Sequence, residues 1–158
     1  MTDPVEFIAA IHNAHIKYLL IGRQAMIAYG IPVQTMDYDL YIDGSRENTK
    51  NFLEIAEKFD LFPSKKLDEM ESYFMFKLEN DVSIDVFRAK KKIIQEGETI
   101  SFEEMYNRKE VITDETGFQV NVPCVEDLIK LKKTDRYKDT IDIKYLEKWQ
   151  EMQKRENK

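Results

Sequence analysis

Three aspartates occupy positions where a β-strand would present them for metal chemistry. Asp37 and Asp39 are two residues apart, and residues two apart in a strand project from the same face. Their neighbours Tyr38 and Leu40 then face the other way and can be buried. Two like charges side by side cost stability unless a cation sits between them. Ligands that are all oxygen suit Mg²⁺ or Mn²⁺ better than zinc.

Asp85 is the third aspartate, in the middle of a strand predicted over residues 82–87. Alternation along that strand places Ile84 and Val86 on one face and Asp85 on the opposite face. If this strand lies beside the strand that carries Asp37 and Asp39, the three carboxylates converge. The sequence therefore predicts a carboxylate site for a divalent cation.

A strand, a glycine and a short helix precede the first two acids. Tyr18–Ile21 is uniformly apolar, Gly22 follows it, and the helix after Gly22 is closed by Gly30. Thr35 lies in the loop that leads to Asp37. This order predicts that a helix N-terminus and two carboxylates are brought together.

The remaining elements predict an α/β (α+β) fold with a mixed sheet flanked by helices. Capping residues mark helix starts at Asp3, Ser45 and Ser101. The other expected elements are a strand over 73–78, a hairpin joining 109–113 to 118–122, and helices over 126–133 and 140–155. Residues 89–98, which are polar and begin with basic side chains, are interpreted as a connector.

Length and composition favour one compact domain spanning residues 1–158. The chain has 158 residues, of which 42% are hydrophobic and 34% charged, as expected for a globular protein. No apolar run approaches the roughly 20 residues of a membrane span, and the N-terminus lacks the pattern of a signal peptide, so a cytoplasmic protein without membrane contact is expected. Cys124 is the only cysteine, which excludes an intramolecular disulfide and a Cys-rich zinc site.

Charge and histidine content restrict the possible binding sites. The net charge is −6, so an anionic substrate would need a local cationic site. The densest cationic cluster precedes the last helix and consists of Lys132, Lys133, Arg136 and Lys138. His12 and His15 are the only histidines. No acid or nucleophile is spaced to pair with them, so they are interpreted as solvated residues at a helix end.

These motifs together resemble the nucleotidyltransferase superfamily that includes DNA polymerase β, and most closely its small bacterial stand-alone members. Some of those proteins belong to toxin–antitoxin or phage-defence pairs. The resemblance rests on the strand–Gly–helix unit, on Thr35-Met36-Asp37-Tyr38-Asp39, on the isolated acid Asp85, and on the C-terminal segment PCVEDLIKLKKTDRYKDTIDIKYL. It covers most of residues 15–148.

The resemblance implies transfer of a nucleoside monophosphate from a nucleoside triphosphate to a hydroxyl group. Asp37 and Asp39 would bridge two Mg²⁺ or Mn²⁺ ions, and Asp85 would complete the catalytic one and help to activate the acceptor. The triphosphate would lie against the helix start at Gly22 and Arg23, with Lys132 or Arg136 adding positive charge. The acceptor stays open between a small molecule, a protein and RNA.

One departure from the family pattern leaves a second function open. The family usually has Gly-Ser or Gly-Gly where this chain has Gly22-Arg23. Arg23 would either contact the triphosphate with two hydrogen bonds or occupy the phosphate position. The alternative is therefore a catalytically inactive regulator or antitoxin-like module that binds a partner protein, and a homo-oligomer is equally open. A metal phosphohydrolase is less favoured, because neither histidine lies near the acids in sequence.

Overall fold

A computed structural model describes residues 2–70, 72–88, 90–93, 97–133 and 136–157. Within these ranges the helices are α1 Pro4–Asn13, α2 Gly22–Ala28, α3 Arg46–Lys58, α4 Leu67–Met70, α5 Phe102–Asn107, α6 Val125–Leu131 and α7 Tyr137–Glu156. The strands are β1 Tyr18–Ile21, β2 Tyr38–Ile42, β3 Phe62–Pro63, β4 Met75–Glu79, β5 Ser83–Phe87, β6 Lys91–Ile93, β7 Thr99–Ser101, β8 Glu110–Thr113 and β9 Gln119–Val122.

Five strands form a mixed sheet in the order β1-β2-β5-β4-β3. β2 and β5 run parallel, whereas the other neighbouring strands are antiparallel. Two short hairpins, β6-β7 and β8-β9, complete the strand structure of the described residues. The α/β fold with a mixed sheet is thus confirmed.

The sheet is packed on both faces, and this packing fixes the direction of every strand residue. On one face Leu40, Ile84 and Val86 contact the apolar sides of α1 and α3 in the larger core. On the other face Leu19, Ile21 and Tyr41 pack with α5 and the end of α6 in a smaller cluster. Residues that alternate with the large core along β2 and β5 therefore project toward the second face, where the polar side chains lie.

Capping accounts for several helix starts as the sequence predicts. The Asp3 carboxylate accepts from the Val5 N–H at the start of α1. Ser45 and Ser101 cap α3 and α5 in the same way. The β8-β9 hairpin is also present where it was expected.

Three expectations about local structure are wrong. Residues 89–98 are more than a connector, because 91–93 pair with 99–101 as antiparallel strands; residues 89 and 94–96 lie outside the described residues. α7 begins at Tyr137 rather than Thr140, so its first turn adds Asp139. His12 is half-buried and bonded to Tyr18 rather than solvated.

Among the described residues, no helix is both long and apolar enough to cross a bilayer.

Candidate active site

Asp39 and Asp85 lie directly beside each other on the parallel strands β2 and β5. The two residues are register partners, so their backbones are about 4.8 Å apart, the spacing of adjacent strands. Ile21 at the end of β1 is the partner of Asp39 on its other side. Asp37 immediately precedes β2, and its N–H donates to the Thr35 hydroxyl over 3.1 Å. The two acidic strands are therefore neighbours, and Asp37, Asp39 and Asp85 line one cavity.

Gly22 explains how the α2 start can approach Asp39 so closely. Its φ is +70°, a backbone conformation that favours glycine. A Cβ atom built on Gly22 would lie 2.9 Å from Oδ2 of Asp39. Glycine is therefore required here by backbone conformation and by the space that the carboxylate occupies.

A cavity of about 260 Å³ gathers the predicted site residues between strands β1, β2 and β5, helices α2 and α6, and the start of α7. The expected site residues that line it are Gly22, Arg23, Asp37, Asp39, Asp85, Lys132 and Arg136. The acids come from β2, β5 and the residue before β2, and the cations Arg23, Lys132 and Arg136, called the cavity wall here, come from α2, the end of α6 and the start of α7. The cavity therefore offers groups for both a divalent cation and an anionic ligand.

Asp142 in α7 joins two of the wall cations. The Arg23 guanidinium donates to the Asp142 carboxylate from Nε over 3.1 Å, and its second terminal nitrogen lies 2.9 Å from Oδ1. Lys132 Nζ donates to Oδ2 of the same carboxylate over 2.8 Å. Arg23 also donates to the backbone oxygen of Gln34 over 3.1 Å. The side chain that departs from the family pattern is thus held against the cavity wall.

The ionisation of Asp142 follows from these contacts. Its side chain is 0% exposed, and burial alone would raise its pKa. Hydrogen bonds and charge attraction from Arg23 and Lys132 outweigh burial, so the pKa lies below the ordinary value for aspartate. Asp142 is therefore a buried anion that neutralises part of the wall charge.

Asp85 has a cation of its own on the side away from Asp39. Lys77 in β4 is the register partner of Asp85, and its Nζ lies 2.9 Å from Oδ1 of Asp85. This hydrogen bond is the main reason why the pKa of Lys77 is raised. Asp85 thus stands between a carboxylate and an ammonium group.

The three carboxylates offer oxygen ligands that suit a hard divalent cation, but their side chains are not close enough together to hold one. Carboxylate oxygens are the ligands that Mg²⁺ and Mn²⁺ prefer, and Gly22 leaves room for the Asp39 carboxylate. Among the described residues, however, no group of three or more His, Cys, Asp or Glu side chains is close enough to hold a metal ion as it stands. Lys77 already contacts one oxygen of the Asp85 carboxylate, for which a bound ion would compete.

Sequence reasoning missed two residues that shape this site. Asp142 falls in the C-terminal segment that carries the family resemblance, and its spacing of three from Asp139 in a helix gives a signal that both face one side. Lys77 alternates with the core residues Phe76 and Leu78, but the register that places it opposite Asp85 depends on long-range pairing. No local pattern reveals that pairing.

Comparisons with known proteins give the class of fold. No protein-family profile matches the sequence, and no curated protein matches it. Among solved structures, a protein of Thermotoga maritima described as a candidate nucleotidyltransferase is similar with a TM-score of 0.59 and 17% identity, over 96% of this chain and 89% of that one.

The lincosamide antibiotic adenylyltransferase LnuA, whose structure contains lincomycin, is similar with a TM-score of 0.62 and 14% identity. The match covers 93% of this chain and 97% of LnuA. Similarity at such low identity concerns the fold alone, and this chain shares its fold with these two proteins.

Proposed function

We propose that this chain is a divalent-metal-dependent nucleotidyltransferase that moves a nucleoside monophosphate from a nucleoside triphosphate to a hydroxyl acceptor. The observation that carries the proposal is the pairing of Asp39 with Asp85 in a cavity that Arg23 and Lys132 also line. Carboxylates for a cation and cations for a phosphate chain are the two requirements of phosphoryl transfer.

The three acids have two roles in this proposal. Asp37 and Asp39 would hold Mg²⁺ or Mn²⁺, whereas Asp85 would complete the site and accept a hydrogen bond from the acceptor hydroxyl. When bound, the metal ions stabilise the attacking and leaving oxygens of an in-line displacement at the α-phosphorus. The neighbouring Gly22 keeps the Asp39 carboxylate free of steric conflict with α2.

The wall cations orient the triphosphate. Arg23 and Lys132 are held by Asp142, so their positions are fixed before a nucleotide binds, which lowers the cost of ordering them. Arg136 lies on the same wall and contacts Asp139, with Nε 3.5 Å from Oδ2. We assign Arg23 a binding role rather than a blocking one, because Asp142 and the backbone oxygen of Gln34 already fix its guanidinium while the side chain lines the cavity.

Small hydroxylated molecules are the first acceptors to test. LnuA, an antibiotic adenylyltransferase, has a similar fold and a similar length. RNA and protein acceptors are included in the same test. A partner protein or a second copy of this chain could contribute further contacts to the acceptor.

A second candidate function is an inactive regulator that keeps the fold and binds a partner protein, as an antitoxin-like module does. The observation in its favour is that Lys77 occupies one oxygen of Asp85 and Arg23 is already paired. With this second function the three acids bind no metal, and the domain acts only by binding its partner protein.

Transfer of label separates the two functions. The purified chain is incubated with each nucleoside triphosphate labelled at the α-phosphate, with Mg²⁺ or Mn²⁺, and with the small-molecule, protein and RNA fractions of a cell extract. The proposal expects metal-dependent labelling of one fraction and release of pyrophosphate. Labelling should be lost with Asp39→Asn and retained with Lys58→Gln, which removes an exposed charge in the last turn of α3.

Arg23 variants refine the result. Arg23→Ala should weaken nucleotide binding by about 1 to 3 kcal/mol, the scale of charge-assisted hydrogen bonds. Tighter binding by Arg23→Ser would show instead that Arg23 blocks the phosphate position. Absence of both nucleotide binding and transfer in every fraction would favour the regulator.

A further inference from the structure

Three charged residues form one row across the face of the central sheet. Asp39 in β2 pairs in register with Asp85 in β5, and Asp85 pairs in register with Lys77 in β4. Register partners on neighbouring strands project from the same face. The row therefore reads carboxylate, carboxylate, ammonium, with Asp85 in the middle.

Lys77 offsets the repulsion between the two carboxylates. Two anions on adjacent strands destabilise a sheet unless positive charge is close. Lys77 Nζ supplies that charge at 2.9 Å from Oδ1 of Asp85. The negative charges of Glu79 and Asp39 also attract the ammonium group. An ammonium group thus serves Asp85 as a divalent cation would.

The same contact takes an oxygen that a metal site would need. A cation held jointly by Asp39 and Asp85 would lie on the β2 side of Asp85, whereas Lys77 holds Oδ1 of the same carboxylate from the β4 side. This opposition agrees with the finding that the described acids do not gather into a metal-binding group.

We propose that Lys77 is a built-in countercation of Asp85, which holds the Asp85 carboxylate in the metal-free protein and releases it when a divalent cation binds beside Asp39. Lys77 is then a positioning residue that sets the metal affinity of the site. The inference rests on the proposed metal-dependent function, and it adds the residue that competes with the metal.

Replacement of Lys77 by a divalent cation requires that the ion pair between Lys77 and Asp85 break easily. The Lys77 side chain is 46% exposed and that of Asp85 is 32% exposed, so both groups are partly hydrated. Exposed ion pairs contribute little free energy, and the four-carbon stem of lysine lets the ammonium swing into water. The neighbouring fold does not have to move.

The first test measures Mn²⁺ affinity by the paramagnetic resonance signal of free Mn²⁺. Lys77→Gln should bind Mn²⁺ about two- to fivefold more tightly than wild type, the range that corresponds to an exposed ion pair. Lys77→Arg keeps the charge and should resemble wild type. Lys58→Gln removes the same charge from α3 on the other side of the sheet, and it should also resemble wild type.

Each result has a distinct meaning. If Lys77→Gln binds Mn²⁺ no more tightly than Lys58→Gln, Lys77 does not compete with the metal and the inference is overturned while the proposed function stands. If wild type binds no Mn²⁺, the proposed function fails and the inference falls with it.

A second measurement follows the amine itself. Acylation of Lys77 by an amine-reactive ester, quantified by mass spectrometry, should be faster with Mn²⁺ than with EDTA, because the metal frees the amine. Asp39→Asn should abolish the acceleration, and the Lys58 peptide gives the internal control. Wild-type protein that binds Mn²⁺ without any increase in Lys77 acylation would overturn the inference.

Discussion

Asp142 is the residue on which the cationic wall of the cavity depends. It accepts hydrogen bonds from Arg23 and Lys132 while its own side chain is fully buried. A buried ion pair stabilises a protein weakly, but removal of one partner leaves the other desolvated and unpaired. The arrangement therefore serves to fix two cations in position more than to stabilise the fold.

Replacing Asp142 should accordingly be costly. Asp142→Asn leaves Arg23 and Lys132 without their shared anion, and we expect the free energy of unfolding in urea at neutral pH to fall by about 2 to 4 kcal/mol. Glu151→Gln is the matched control, because Glu151 lies on the same helix in an exposed pair with Arg155. The control should change stability by less than about 0.5 kcal/mol, and an equally small effect of Asp142→Asn would contradict the buried network.

The junction between β1 and α2 is the element that brings a helix start against the acids. Gly22 makes this junction possible, since it has a positive φ and leaves no atom where Oδ2 of Asp39 lies. Gly30 also has a positive φ, of +85°, yet nothing lies within 4 Å of its missing Cβ. Gly22 is therefore constrained both by its backbone conformation and by the Asp39 carboxylate, whereas Gly30 is constrained by its backbone conformation alone.

Alanine at each glycine provides a paired experiment. Both Gly22→Ala and Gly30→Ala should destabilise the fold by about 1 to 2 kcal/mol, because each forces alanine into a left-handed conformation. Only Gly22→Ala should also weaken Mn²⁺ binding, since its Cβ displaces the Asp39 carboxylate. Equal Mn²⁺ affinity in the two variants would show that the close approach of α2 does not affect the metal site.

A hydrogen-bond chain joins α1, β1 and β9 on the side remote from the acids. The Asn121 N–H donates to the Tyr18 hydroxyl over 3.1 Å. That hydroxyl also lies 2.9 Å from Nδ1 of His12, within hydrogen-bond distance. Burial raises the pKa of Tyr18, so the hydroxyl keeps its proton, and burial lowers the pKa of His12 below 6.5.

The His12 shift predicts how stability changes with pH. Because the unfolded chain binds a proton on His12 more readily than the folded chain, stability is present above the unfolded pKa and is lost as pH falls through the folded pKa. We expect urea unfolding to show lower stability at about pH 5.5 than at about pH 7.5, with a smaller difference in His12→Gln. His15→Gln should reduce the difference less than His12→Gln does, because the charge of His15 is a smaller cause of the His12 shift than burial. An unchanged pH dependence in His12→Gln would exclude His12 as its source.

Local patterns predicted the elements that hold the site, and pairing between distant strands supplied the rest. Asp39 and Asp85 could be placed from alternation, because each interrupts an apolar strand on a single face. The place of Gly22 at the start of α2 followed from the strand–glycine–helix order, whereas the roles of Arg23, Lys132 and Arg136 toward a nucleotide followed from a family resemblance. The β6-β7 hairpin, the partner of Lys77 and the burial of Asp142 depend on tertiary contacts, which no short segment encodes.

At the scale of the whole molecule, the central sheet couples the two apolar clusters. Alternate residues of β1 belong to different clusters, with Tyr18 and Leu20 in the larger one and Leu19 and Ile21 in the smaller one. One cluster cannot open without disturbing the strand that belongs to both. This shared strand supports the prediction that residues 1–158 form a single domain.

A single domain of this kind should unfold in one cooperative step. The only tryptophan, Trp149 in α7, donates to the backbone oxygen of Tyr29, so its fluorescence reports on the contact between α7 and the end of α2. We expect the urea midpoints from Trp149 fluorescence and from far-ultraviolet circular dichroism to coincide. Two separated transitions would indicate that α7 unfolds independently of the sheet.

The proposed function requires that Asp37, Asp39 and Asp85 bind a divalent cation together with a nucleotide. Thermal unfolding of wild type and Asp39→Asn, each in EDTA, in Mn²⁺, and in Mn²⁺ with a non-hydrolysable nucleoside triphosphate, tests it most directly. A ligand that binds only the folded state at about a hundred times its Kd should raise Tm by roughly 5 to 10 °C. We predict that wild type gains stability from Mn²⁺ and again from the nucleotide, and that Asp39→Asn gains from neither. Identical Tm values for wild type in all three conditions would contradict the account.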